Sequence, residues 1–174
     1  MKRFFGFETF REGQYETILN ILNKKSTIFV SETASGKSLT YILSSMLLGG
    51  LSIVISPLVS LMLDQLNHLP KRFPAACISS LINREQRNRI IKMIHEGKVN
   101  LLFITPESLQ TDFIYHLQDF PAVNFVCIDE AHSLSELSHN FRTSFLALGD
   151  IVQNIIKYKS EKPTILGLTA TANI

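Results

Sequence analysis

A chain of 174 residues that is 45% hydrophobic has the length and apolar content of one packed domain, which excludes global disorder. Its formal charge of +2 is mildly basic and does not by itself indicate nucleic acid; for such a partner the positive field must be local. Charged residues make up only 18%, the low value expected where strands are buried on both faces. In chain order, Gln14 to Leu22 reads as a helix, with Ile18, Leu19, Ile21 and Leu22 at helical offsets. A buried strand follows at Ser26 to Val30, then a helix over Lys37 to Leu48 and a strand at Leu51 to Ile55. Leu58 to Leu69 is helical after Pro57, Ala75 to Ser79 is a strand, and Arg84 to His95 is a helix with a charged face. Strands at Val99 to Ile104 and Val123 to Ile128, an amphipathic helix over Phe141 to Lys157 and a strand at Thr164 to Leu168 complete the pattern. Alternating helices and unbroken apolar strands predict an α/β domain, a parallel sheet covered by helices on both faces, with ligands outside the carboxyl ends of the strands.

Cys77 and Cys127 have no partner at metal-ligand spacing and lie in apolar runs, so they read as buried reduced thiols of an intracellular protein. No run of about 18 apolar residues exists to span a membrane. Met1 to Gly6 leads into charged residues instead of the apolar core of a signal peptide. No metal spacing joins the histidines; His68, His95 and His116 read as solvated residues, and Lys157, Lys159 and Lys162 as a solvated face.

Chemistry concentrates at two strand ends. After the first strand comes Ser31-Glu32-Thr33-Ala34-Ser35-Gly36-Lys37-Ser38, then a helix. Small residues let backbone N–H groups of Thr33, Ala34, Ser35 and Gly36 curl around phosphate oxygens, and the helix N-terminus adds positive potential. Lys37 would reach the β- and γ-phosphates of ATP, and the Ser38 hydroxyl would bind Mg²⁺. The strict P-loop pattern has Gly where Ser31 stands, so an ordinary strand-to-helix turn is the competing reading of this segment alone. The second strand end separates the two. Phe125-Val126-Cys127-Ile128 runs into Asp129-Glu130-Ala131-His132. Two adjacent carboxylates at the end of a buried strand are costly unless a cation neutralises them. Asp129 would hold Mg²⁺, and Glu130 would act as general base on the attacking water.

Taken together, the segments resemble a superfamily-2 helicase, specifically the first motor domain of a RecQ-like DNA helicase, over nearly the whole chain. Phe5 to Gln14 resembles the RecQ adenine motif, Ser56 to Gln65 motif Ia, Thr105-Pro106-Glu107 with Leu109 motif Ib, and Gly167 to Ala172 motif III. Asp129 to His132 matches the Asp-Glu-Ala-His box. Ser135 to Arg142 resembles the aromatic-rich loop of RecQ enzymes, and Ser138 to Arg142 is similar to the type-four RecQ branch.

The resemblance implies a RecA-like P-loop domain over residues 1–174, the N-terminal lobe of a motor whose second lobe lies beyond this chain. It implies that Phe7 and Arg11 sandwich the adenine while Gln14 bonds its edge, although a core Phe7 and a surface Arg11 are open alternatives. It implies that Ser56, Thr105 and the backbone beside them touch single-stranded or forked DNA. The same residues also suit helix starts. His132, His139, Phe141, Arg142, Thr169 and Thr171 are implied to couple DNA binding to hydrolysis. A nuclear address, ATP-dependent 3′-to-5′ unwinding and poor activity of the lobe alone follow by the same implication.

Three positions depart from the family pattern. Ala34 stands where RecQ proteins carry Gly, Leu137 where the aromatic-rich loop carries Trp, and Asn140 where many relatives carry Asp. Ala34 and Leu137 favour a degenerate module that binds DNA or a protein partner without turnover. Intact Lys37, Asp129 and Glu130 oppose it. A GTPase or nucleotide kinase lacks support, because the Asn-Lys-x-Asp guanine motif is missing.

Overall fold

The computed structural model describes residues 5–6, 8–32, 36–113, 116, 119–130, 153 and 162–170. Within them six strands form one parallel sheet: β1 (Thr27–Val30), β2 (Leu51–Ile55), β3 (Ala75–Ile78), β4 (Leu101–Ile104), β5 (Val123–Ile128) and β6 (Thr164–Thr169). Their spatial order is β1-β6-β5-β2-β4-β3, and every described pairing is parallel. The helices are α1 (Gln14–Leu22), α2 (Lys37–Leu48), α3 (Val59–His68), α4 (Arg84–His95) and a short α5 (Pro106–Ser108). Leu109–Phe113 continues α5 as a single π-helical turn, which periodicity in so short a segment does not reveal.

The apolar runs explain the architecture. All five residues of β2 and all four of β4 are buried, as central strands covered on both faces require. Alternate residues feed two cores. Phe29, Val54, Phe103, Phe125, Leu166 and Leu168 pack on one face with Ile21 of α1, Tyr41 and Ile42 of α2 and Met62 of α3. Ile53, Ile55, Ile78, Leu102, Ile104 and Val126 pack on the other with Ile91 and Ile94 of α4, Leu109 and Phe113. The period of two along each strand sorts the residues between these cores.

Element bounds match the sequence reading for α1, α2, α4, β2 and β5. α3 is one residue shorter at each end, because Leu58 and Leu69 take extended backbone. β1 begins after Ser26, whose hydroxyl accepts instead from the Ile165 N–H at 3.1 Å. The expected helix over Phe141 to Lys157 lies outside the described residues. Cys77 and Cys127 are buried free thiols, and burial raises both, Cys77 to about 11. His68 is exposed, with Nδ1 2.7 Å from the Asp64 carbonyl. His95 is exposed, as expected, and His116 is half-buried; their rings pack around Phe120, His95 edge-on at 5.0 Å.

Local capping is built into α4. The Asn83 side chain accepts from the Gln86 N–H, and the Gln86 side chain accepts from the Asn83 N–H, each at 2.9 Å. Asn83→Ala should lower stability by about 1 kcal/mol. The measurement is a shift in denaturant midpoint at constant slope; an unmoved midpoint would show that this capping box adds nothing in solution.

Candidate functional site

The strand order sets the chemistry-bearing residues side by side along the carboxyl edge of the sheet. The Ser31 N–H beyond β1 donates to the Thr169 carbonyl of β6 at 3.1 Å. The Asp129 N–H donates to Ile55 of β2 at 2.9 Å, the Ser56 N–H to Ile104 of β4 at 3.2 Å, and the Thr105 N–H to Ile78 of β3 at 3.3 Å. Each loop therefore leaves its strand while still hydrogen-bonded to the neighbouring strand. That fixes where its first residues stand.

Gly36, at the N-cap of α2, has φ of +78°. A side chain there would be strained, and its Cβ would lie 2.9 Å from Gln14 Nε2. Gln14, 2% exposed, donates from Nε2 to the Gly36 carbonyl at 2.9 Å and accepts from the Arg11 N–H at 2.9 Å. The segment that resembles the adenine motif is thus fastened to the end of the phosphate-loop segment. Lys37 is buried, and its ammonium donates to the carbonyls of Ser31 and Glu32, both at 2.9 Å.

Gly36, Lys37, Ser38, Tyr41, Leu61, Gln65, Asp129 and Glu130 line one cavity of about 240 Å³. A cavity of the same volume lies among Lys24, Leu48, Val123, Asn124, Lys162 and Thr164, where β5 and β6 begin. That second lining holds no carboxylate, so the chemistry favours the first.

Asp129 is 7% exposed, and its carboxyl is pushed up to about 6. Burial is the main cause and the neighbouring Glu130 charge the next. The Glu130 N–H at 3.0 Å, the Ser56 hydroxyl at 3.4 Å and the Lys37 charge pull the other way. Glu130 itself takes φ of +53°, an uncommon conformation for a residue with a Cβ and one that clusters at functional sites. A carboxylate raised by burial and by a second carboxylate, with a serine hydroxyl lining the same cavity, is a hard-oxygen set that suits Mg²⁺. Asp129 and Ser38 are the residues that could hold it.

The structure therefore gathers Gly36, Lys37, Ser38, Asp129 and Glu130 around one space, with Arg11 and Gln14 adjoining it through Gly36. Ser56 and Thr105 stand along the same edge, but their hydroxyls turn inward. Ser56 is 1% exposed and donates to Asp129 Oδ2, while Thr105 caps α5 by accepting from the Ser108 N–H at 3.3 Å. Thr169 is also buried. Phe7, Thr33, Ala34, Ser35, His132, His139, Phe141, Arg142 and Thr171 lie outside the described residues. Sequence reasoning missed Tyr41, Leu61 and Gln65 as cavity residues. Tyr41 was within reach of it, being one helical turn past Lys37 on the same face. Burial first, then Asp129 and Cys127, raise the Tyr41 hydroxyl well above its ordinary value.

The family model for DEAD/DEAH box helicases matches residues 11–174. The chain belongs to the DEAD/DEAH box helicase family. Among its relatives, the chain is 39% identical over 169 residues to ATP-dependent DNA helicase Q-like 5 of Arabidopsis thaliana, covering 97% of the chain and 18% of that protein. It is 38% identical over 172 residues to the probable ATP-dependent DNA helicase RecS of Bacillus subtilis, covering 98% and 33%. It is 41% identical over 172 residues to ATP-dependent DNA helicase Q4 of Homo sapiens, covering 96% and 14%. The chain thus spans a third or less of these three relatives. RecQ-type helicases are similar to it along nearly its full length.

The fold is shared with solved helicases. Mycobacterium smegmatis Lhr, in a structure bound to ssDNA and AMP-PNP, superposes with TM-score 0.76 at 21% identity over 96% of this chain and 23% of that one. A hypothetical ATP-dependent RNA helicase from Sulfolobus tokodaii gives TM-score 0.71 at 24% identity, covering 95% and 47%. The architecture is the RecA-like helicase fold.

The raised Asp129 carboxyl makes a signed prediction. Its folded value of about 6 exceeds the ordinary 3.8, so the folded state binds the proton more tightly. Ionisation then costs stability as pH rises from about 4 to about 6, with no further loss above. Asp129→Asn should stabilise the nucleotide-free protein at pH 7 by on the order of 1–3 kcal/mol, and by much less at pH 4. Chemical denaturation of both proteins at the two pH values checks it; equal differences at both would remove the burial penalty.

Proposed function

We propose that this chain is the ATP-binding lobe of a RecQ-type, ATP-dependent DNA helicase that moves 3′ to 5′ along single-stranded or forked DNA when joined to a second RecA-like lobe. The observation that carries the reading is the single cavity lined by Lys37, Ser38, Asp129 and Glu130. A lysine, a hydroxyl and two carboxylates lining one cavity match the needs of a hydrolysable triphosphate.

In this reading Lys37 leaves the Ser31 and Glu32 carbonyls and donates to the β- and γ-phosphates. Backbone N–H groups of Thr33, Ala34, Ser35 and Gly36 complete the cradle. Phe7 and Arg11 enclose the adenine, and Gln14 reads its edge from a position already tied to Gly36. Ser38 and Asp129 would hold Mg²⁺, which when bound neutralises phosphate charge. Glu130 takes the proton from the attacking water. Ser56 braces Asp129 and, with Thr105, leaves mainly the backbone of the adjacent loops for DNA phosphates, a contact that reads no sequence. His132, His139, Phe141, Arg142, Thr169 and Thr171 carry the coupling between DNA and hydrolysis. The second lobe supplies the remaining charge on the far side of the nucleotide, and closure of the two lobes drives translocation.

Among the described residues no helix is long and apolar enough to cross a membrane. Relatives occur in a plant, a mammal and a bacterium, and the nuclear address is proposed for a eukaryotic source only.

Lys37→Ala should weaken ATP binding by about 100-fold or more, the loss of two charge-assisted bonds. Unchanged affinity in a fluorescent-nucleotide titration would remove Lys37 from the phosphate site. Glu130→Gln should keep ATP binding and lower turnover by roughly 100- to 10,000-fold. Persisting turnover would reassign the base. The deciding experiment is ATP hydrolysis by the natural full-length protein with and without single-stranded DNA. Stimulation supports the motor. A flat response favours a module that binds DNA or protein without turnover.

A further inference from the structure

We propose that Tyr41 and Gln65 are positioning residues that hold ordered water between Asp129 and the terminal phosphate of a bound nucleoside triphosphate, a role that rests on the nucleotide reading above. Tyr41 is 2% exposed, and among the described residues its hydroxyl has no hydrogen-bond partner. That hydroxyl belongs to a side chain lining the polar cavity, where a ligand or its water would satisfy it. Its ring packs edge-on against Phe103 at 6.1 Å, which fixes the ring in the face of the sheet beside Asp129.

Gln65 reaches the same cavity from a different element, α3. It is half-buried, and its amide also has no hydrogen-bond partner among the described residues. Together with Tyr41 it also lines the space behind Asp129, next to Ser56 and Phe103, which is too tight for water, so water is confined to the larger cavity. Two neutral side chains thus face a space otherwise set by an ammonium and two carboxylates.

Spacing selects water over direct phosphate contact. Tyr41 stands four residues along α2 from Lys37, a rise of about 6 Å away from the phosphate loop. In this proposal an oxygen held by Lys37 lies one hydration layer from the Tyr41 hydroxyl. A phenol offers a donor and an acceptor, and a primary amide offers both as well, the complement of a water molecule shared between a carboxylate and a phosphate.

The test compares the unsubstituted protein with Tyr41→Phe, which keeps the ring against Phe103, and Gln65→Met, which keeps the length without the amide. Fluorescent ATP and ADP analogues are titrated with Mg²⁺ and with EDTA, and melting temperatures are recorded. Each variant should weaken Mg²⁺-dependent triphosphate binding by about 5- to 10-fold, the worth of one hydrogen bond. Diphosphate binding, binding in EDTA and melting temperature should stay as in the parent. Unchanged triphosphate affinity overturns the proposal. So does an equal loss for ATP and ADP, which assigns both residues to the shape of the wall. Failure of the unsubstituted protein to bind Mg-ATP overturns the nucleotide reading itself, and is seen before any variant is compared.

Discussion

A carboxylate that is 7% exposed at the end of an apolar strand, beside a second carboxylate, is the constraint around which this lobe is organised. Burial and the Glu130 charge both disfavour its ionised form. One backbone N–H, one serine hydroxyl and one buried lysine offset that only in part. The remaining imbalance calls for positive charge from outside the chain. Placing Lys37 and Asp129 on one cavity requires their strands to lie close, and the order β1-β6-β5 provides that with one strand between. The strand that intervenes ends at Thr169, so the segment resembling motif III stands between the phosphate loop and the acidic turn.

Most of the fold was legible because the strands are unbroken apolar runs, and the burial of every residue in β2 and β4 is the reason. That Gly36, Lys37 and Ser38 would meet Asp129 and Glu130 was legible only from the two segments together, since a Gly-Lys-Ser turn alone has other uses. Spatial order was not legible, since nothing in β1 or β6 names its neighbour. Nor was the orientation of Ser56 and Thr105. A hydroxyl before a proline reads equally as a surface contact or a cap, and here long-range register decides, drawing Ser56 to Asp129 across 73 residues of sequence. Gln65 escaped because its helical offset fits an ordinary half-buried amide. Only the approach of α3 to α2 reveals the space it lines.

The same edge joins two activities that family resemblance treats as separate motifs. Ser56 sits in the segment read as a DNA contact, yet its hydroxyl bonds the carboxylate read as the metal ligand. A shift of the β2 loop therefore alters the hydrogen-bonding of Asp129 without any intermediary helix. If the proposed function holds, that is a short physical route between strand binding and hydrolysis, and it needs no movement of the sheet.

Lys37 carries one more implication. Its ammonium is out of solvent and bonded to the Ser31 and Glu32 carbonyls. The dehydration of that charge is met during folding, and an incoming group has only to outcompete two neutral oxygens. An anionic oxygen does so; an uncharged sugar or base does not. If the cavity takes the proposed nucleotide, the loop screens arrivals by charge, favouring phosphates over adenosine alone.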